Sequence, residues 1–300
     1  MTHLLTELNT SHEFDVPLGS LTWYGLGGRA RILAHPADID ELAALVRDCH
    51  EQNIRTFVLG RGANLLVADE GVDGVVIRLD QPAFCRLEID GQRVLAGAGF
   101  DLMKLVLRTA REGLGGFEGL AGIPATVGGA VRMNAGGSFG EIGPSVGRIQ
   151  VMDRAGNVFW KDRSDLVFGY RSTNITEPYI LNVEFELMPA DRDRLDQRVK
   201  EVFRYKKASQ PMADHSPGCA FKNPRQAPPQ AHQTAGSLID QAGLKGYREG
   251  GAYVSDRHAN FIIADPGARA ADVRAVLEHV EATVRDRFGV TLEREVVLWP

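Results

Sequence analysis

Apolar positions along this chain recur every three to four residues in some stretches and every second residue in others, and these periods sketch its elements. In "ADIDELAALVRDCHEQN" (37–53) Ile39, Leu42, Leu45 and Val46 share one helical face, and Asp38 stands where an N-cap belongs. An apolar strand, Thr56–Leu59, follows, and "GVVIRL" (74–79) reads as another. "CRLEIDGQRVLAGAG" (85–99) predicts a hairpin turning at Asp90-Gly91, ahead of a helix from Asp101 to about Arg111. "RIQVMDRAGNVFW" (148–160) predicts a second hairpin. "YILNVEFELMP" then alternates, with Leu181, Val183, Phe185 and Leu187 inward and Asn182, Glu184 and Glu186 outward. The polar stretch Asp191–Ala208 predicts an amphipathic helix that leads into a further unit. Later, 271–289 predicts a long helix burying Val273, Val276, Leu277, Val280 and Val284, stopped by Gly289, before a strand Val290–Trp299. Hairpins mixed with helices argue for an α+β chain and against a doubly wound parallel sheet.

The periods fail where glycine accumulates. "GLGGFEGLAGIPATVGGAVRMNAGGSFGEIG" (113–143) carries too many breakers for a regular element, so an ordered loop is expected. Its apolar residues argue against disorder, and long ordered loops in compact domains usually serve a ligand. "GRGANLLVADEG" (60–71) is a second cluster. It lacks the Lys-Ser or Lys-Thr of a P-loop and the third glycine of a dinucleotide fingerprint. Successive N–H groups in such a turn can form an anion-binding concavity, to which Asn64 could add an amide. A tight connection with no ligand accounts for the same residues equally well.

At 300 residues the chain exceeds one typical domain, so two or three compact units are expected. The net charge of −5 is spread without a basic block, which leaves no footprint for nucleic acid or an anionic membrane. Cys49, Cys85 and Cys219 are odd in number and far apart, arguing against a disulfide framework and against a structural metal site. The polar start MTHLLTELNTSHEFD shows no leader-like apolar core, so a reducing cytoplasm is the expected location.

Three residues could carry chemistry. Arg171, in "FGYRSTN", offers a fixed fork for a carboxylate, although local context favours a surface side chain in a turn. Glu295, in "LEREV", would act as a protonated donor if drawn into its apolar surroundings; Glu293 shares its face, so spacing does not choose between them. Cys219, in "SPGCAFKNP", is open to readings as acid, nucleophile, metal ligand or small buried hydrophobe, although no nearby His spacing suggests zinc.

Taken together, T-W-Y-G-L-G-G-R-A (22–30), G-R-G-A-N-L-L (60–66), G-I-P-A-T-V-G-G-A-V (122–131), Y-R-S, G-C-A-F-K-N-P and L-E-R-E-V closely resemble, in this order, the UDP-N-acetylmuramate dehydrogenases, or UDP-N-acetylenolpyruvoylglucosamine reductases. The likeness spans nearly the whole chain and fits the shorter form, which lacks an extra substrate-covering insertion. It implies an FAD domain of the vanillyl-alcohol-oxidase (PCMH) type in two subdomains, 1–72 and 73–204, and a substrate domain, 205–300. FAD, held non-covalently, would lie against Gly60, Arg61, Gly62, Ala63, Asn64 and Leu65. It would also lie against Gly122, Ile123, Pro124, Thr126, Val127, Gly128, Gly129 and Ala130. The family usually has Ser where this chain has Ala63, and Gly where it has Ala125.

The resemblance further implies a reaction: NADPH reduces the flavin, and the hydride then passes to C3 of the enolpyruvyl ether of UDP-N-acetylglucosamine. Arg171 and Glu295 would steady the charge developing on its carboxylate, and Cys219, where many relatives have Ser, would protonate C2. Lys207 and Asn223 match positions that contact the UDP moiety, and Gln210 stands where some relatives have a substrate-contacting Lys. A monomer is expected. A flavin oxidase using O2 and a non-catalytic nucleotide-sugar binder are the competing expectations.

Overall fold

The structure, a computed structural model, describes residues 10–211, 215–224 and 233–300; the polar start 1–9 and Met212–Asp214 of the loop before Cys219 lie outside them. The chain forms two compact units. One gathers the described part of Met1–Val16 with Ala30–Arg61 and Asp73–Tyr205; the other gathers Pro17–Arg29, Gly62–Val72 and Lys206–Pro300.

The first unit holds both predicted hairpins in one five-stranded antiparallel sheet, ordered Val158–Asp162, Val146–Met152, Tyr179–Glu186, Arg93–Gly97, Leu87–Asp90. The register Asp90↔Arg93 puts the turn at Gly91-Gln92, one residue later than expected, with Gly91 taking the positive φ of +58°. Leu181, Val183, Phe185 and Leu187 are buried as the alternation predicts. Asn182 is not outward: it is 1% exposed, and its Nδ2 donates to Gln150 Oε1 at 2.6 Å. The reason is position, because its strand is the middle of the five and a helix packs on it, so both faces are covered.

A second sheet in this unit orders Ser11–Pro17, Arg29–His35, Val72–Ile77 and Thr56–Val58, the last two parallel. Helix α1 (Ile39–Glu51) is capped as predicted, Asp38 accepting from the N–H groups of Asp40 and Glu41. Helix α2 (Leu102–Arg111) is capped by Asp101 and buries Leu102, Leu105 and Val106, each burial worth about 2 kcal/mol as an upper bound.

The glycine-rich stretch 113–143 corrects the expectation of a loop without regular elements. It contains helix α3 (Val127–Arg132), with Thr126 Oγ1 accepting from Gly129 N–H, and the two-residue strands Gly136–Gly137 and Gly140–Glu141. Glycine does not break α3 because its N–H groups are anchored by tertiary contacts: Val127 donates to Phe100 O and Gly128 to Ala98 O. A Cβ at Gly128 would sit 2.8 Å from Ala98 Cβ, so glycine permits that approach. Helix α4 (Arg192–Ser209) follows, and Leu195, Val199 and Val202 join this unit's core.

The second unit packs α6 (Ala270–Phe288) against a three-stranded sheet of Arg248–Glu249, Ala252–Val254 and Ile262–Ala264, with α5 (Ala235–Gln241) beside α6. The α6 face is the predicted one, and Gly289 ends the helix at φ +68°. Only Val297–Trp299 of the expected last strand is regular, and it pairs in parallel with Leu65–Val67.

Candidate active site

In the first unit a cleft of about 240 Å³ opens between the end of Thr56–Val58, the start of α2 and the start of α3. Of the expected flavin-contacting residues, Gly60, Arg61, Thr126, Gly128 and Gly129 line it. Val127 and Ala130 are buried in the core behind it. Gly62, Ala63, Asn64 and Leu65 belong to the second unit. Ligand pockets usually measure about 300–1,000 Å³, so this cleft matches a fragment such as a diphosphate and not a whole dinucleotide.

Its charge suits that fragment. Arg61, Arg78 and Arg132 face it with Asp80 and Asp101, three guanidinium groups against two carboxylates. Arg61 donates to Asp101 Oδ2 at 2.5 Å, while Asp101 Oδ1 caps α2. Arg132 donates to the carbonyls of Ile175, Glu177 and Pro178, and burial pulls its pKa below the usual guanidinium range, with Glu177 opposing. The N–H groups of Val127, Gly128 and Gly129 at the start of α3 are satisfied internally. Those of Gly60 and Arg61 donate to no other described residue and remain for an anion. These groups fit the phosphates of FAD. Arg78, Asp80, Asp101 and Arg132 escaped sequence reasoning, although Arg132 is the one basic residue between Gly113 and Gly143 and Asp101 is a recognisable N-cap.

Arg171 lies in the same unit, in the turn between Phe168–Gly169 and Ser172–Thr173, whose register is Gly169↔Ser172. Its φ is +51°, a left-handed conformation unusual for a non-glycine residue. The guanidinium donates to Gly136 O at 2.6 Å and stands 5.2 Å from the Tyr170 ring centroid.

In the second unit the structure brings Cys219 and Glu295 onto neighbouring paired segments. Phe221 and Arg294 form an antiparallel bridge, Glu295 N–H donates to Ala220 O at 2.8 Å, and Lys222 N–H donates to Glu293 O at 2.8 Å. The thiol is half-buried, at the edge of this ladder, next to Gly218 with φ +99°. Of the two glutamates, Glu293 is mostly exposed and accepts from Lys222 Nζ, whereas Glu295 is half-buried. Asn64 bears on the same ladder, its Nδ2 donating to Glu295 O at 2.9 Å.

The expected substrate contacts scatter more. Lys207 is exposed, and its carbonyl accepts from Arg257 Nη2 at 2.9 Å. Gln210 is half-buried. Asn223 is exposed, and its Oδ1 accepts from Ala235 N–H at the start of α5 at 3.0 Å. Lys206, 7% exposed, is the lysine the fold buries, and nothing in the sequence distinguished it from Lys207. Among the described residues no cluster of side chains has the makings of a metal site, and no helix is long and apolar enough to cross a membrane.

A family model described as an FAD binding domain matches residues 30–161, the span that contains the cationic cleft. With the mixed helix and strand architecture, this defines an FAD-dependent oxidoreductase with a PCMH-type cofactor domain. A second model, described as the UDP-N-acetylenolpyruvoylglucosamine reductase C-terminal domain, matches 210–299, which carries Cys219 and Glu295. The chain is 40% identical to UDP-N-acetylenolpyruvoylglucosamine reductase 2 of Symbiobacterium thermophilum, over 94% of this chain and 90% of that protein. It is 38% identical to the UDP-N-acetylenolpyruvoylglucosamine reductase of Heliobacterium modesticaldum, over 99% and 93%. The crystal structure of UDP-N-acetylenolpyruvylglucosamine reductase from Thermus caldophilus superposes with a TM-score of 0.81 at 37% identity, covering 97% of this chain and 99% of that one. The chain belongs to the UDP-N-acetylenolpyruvoylglucosamine reductase family, the flavoenzymes of peptidoglycan biosynthesis that its motifs resemble.

Proposed function

We propose that this chain reduces UDP-N-acetylglucosamine enolpyruvate to UDP-N-acetylmuramate with NADPH as electron donor, working as a cytoplasmic monomer with FAD held non-covalently. The observation that supports the site most directly is the ladder that sets Cys219 beside the Ala220–Glu295 pairing. Bound FAD supplies the hydride relay from NADPH to C3 of the enolpyruvyl group. Everything else falls to the chain. As C3 becomes a methyl group, electron density moves toward C2 and the carboxylate. Arg171 offers a permanent cation and Glu295 a carboxyl donor for that charge. The Cys219 S–H bond breaks as its proton forms the new C–H bond at C2, and the thiolate regains a proton from water. A thiol, in its protonated form, can deliver that proton. Lys222, whose charge would favour the thiolate, is engaged by Glu293.

The phosphates of FAD fall to the turn of Gly60, Arg61, Gly62, Ala63 and Leu65, with Asn64 fixing the turn through its amide. The segment Gly122, Ile123, Pro124, Thr126, Val127, Gly128, Gly129 and Ala130 flanks the flavin. Lys207 and Asn223 serve the UDP moiety, and Gln210 is a further substrate contact. In this reading 1–72 and 73–204 are the two flavin subdomains and 205–300 the substrate domain.

One sequence of measurements tests the proposal. Under anaerobic conditions NADPH should bleach the flavin absorbance, and the enolpyruvyl sugar nucleotide should restore it. Acid precipitation should leave the yellow colour in solution. A flavin that NADPH does not bleach, or that stays with the pellet, would replace this reading with an oxidase or a binding protein.

A further inference from the structure

Arg171 holds a backbone conformation that an L side chain keeps only where its surroundings over-determine it. What determines it is visible beneath the turn. Asn134 is 0% exposed, and its amide bridges two backbone groups: Nδ2 donates to Gly169 O at 2.8 Å, and Oδ1 accepts from Gly143 N–H at 3.0 Å. Gly169 is the residue from which the chain enters the Tyr170-Arg171 turn. Two further bonds join the same segments, Arg171 Nη2 to Gly136 O at 2.6 Å and Thr173 Oγ1 to Arg132 O at 3.2 Å. Of the three, the Asn134 bond is the one made by a wholly buried side chain, so water does not replace it. Gly143 is fitted to the same purpose, since a Cβ there would lie 2.8 Å from Asn134 Oδ1 and 2.6 Å from Phe168 Cγ.

We infer that Asn134 is a positioning residue for Arg171: its amide sets the turn from which the guanidinium reaches the substrate carboxylate. The inference rests on the reading of Arg171 given above. A merely space-filling amide would affect stability and both half-reactions alike, whereas a positioning amide acts on the step that uses Arg171.

Asn134→Asp separates the two, because a carboxylate still accepts from Gly143 N–H but repels Gly169 O. In the flavin-loaded protein, amide exchange across 168–174 should quicken about tenfold or more. Flavin reoxidation by the enolpyruvyl substrate should slow by about 10–100-fold, with bleaching by NADPH and substrate affinity changed by less than about threefold. The double variant N134D/R171A should reoxidise no more slowly than R171A, since the two act through one guanidinium. Gly143→Ala, which presses on the same amide, should give the same pattern and serves if N134D does not fold. Unchanged exchange, or losses that multiply in the double variant, would overturn the inference. Faster exchange with normal reoxidation in N134D and slow reoxidation in R171A would overturn it while sparing the role of Arg171. Normal reoxidation in R171A would instead remove the catalytic reading of Arg171 itself, leaving exchange to report on the anchor alone.

Discussion

Asn260 in the second unit and Asn134 in the first are both buried amides bonded to backbone, yet they hold their segments differently. Asn260 presents both ends to one residue, Oδ1 accepting from Phe221 N–H at 3.0 Å and Nδ2 donating to Phe221 O at 2.8 Å. Its own carbonyl accepts from Ala220 N–H at 2.8 Å. It thereby imitates a neighbouring strand, and on the opposite side Glu293 to Val296 complete the ladder. Asn134 joins two residues far apart in sequence and fixes only the entrance to a turn. The proposed proton donor thus rides on backbone paired along both edges, and the proposed cation rides on a turn in a strained conformation. A proton must be delivered along one line to one carbon, and a guanidinium fork must meet a carboxylate in register, so a turn can carry the second only where buried bonds hold it.

The largest expected effect contrasts Cys219 variants. Cys219→Ala should slow flavin reoxidation by about 10²–10⁴-fold without slowing bleaching by NADPH, while Cys219→Ser should retain most activity. Stopped-flow absorbance reads both, and an Ala variant that reoxidises normally would take the acid role from this thiol. Next, Asn260→Ala should destabilise the protein by about 2–4 kcal/mol in denaturant titrations, because Phe221 loses partners for both its backbone groups. A loss below about 1 kcal/mol would mean that the second edge of the ladder is dispensable. Third, Arg171→Gly should be more stable than Arg171→Ala by about 1 kcal/mol, since glycine relieves the positive φ, while both reoxidise equally slowly. Equal stability would show that the turn is not strained.

The smallest effect is a pH dependence near Asn260. Burial pulls the pKa of His258 below the ordinary imidazole value, against its own backbone hydrogen bond and with help from Lys245. The folded state therefore favours the neutral ring, whose Nδ1 accepts from Asn260 N–H at 3.3 Å. This contribution is complete above the unfolded value of about 6.5 and is lost as pH falls through the depressed folded one. The melting temperature should drop by a few degrees between about pH 7 and pH 5, and His258→Gln should flatten that slope.

Much of this was legible where one periodic face meets one core. Helix α6 buries Val273, Val276, Leu277, Val280 and Val284, and Asp38 caps α1, because both follow from local spacing. Asn182 and α3 were not legible, since each depends on partners distant in sequence: a second covered face for one, Ala98 and Phe100 for the other. The family motifs pointed to Arg171, Cys219 and Glu295. The two asparagines that hold their backbones carry no local signal, because an amide's worth lies in what it meets.

The parallel pairing of Leu65–Val67 with Val297–Trp299 has a consequence for synthesis. At about 5–20 residues per second, translation from the first strand to its partner takes roughly 10–50 s. Throughout that interval Leu65, Leu66 and Val67, all buried in the finished fold, have no mate and form a sticky nascent edge. The adjoining turn at Asn64, whose carbonyl accepts from Val297 N–H, acquires its final shape only after the ribosome has passed residue 297.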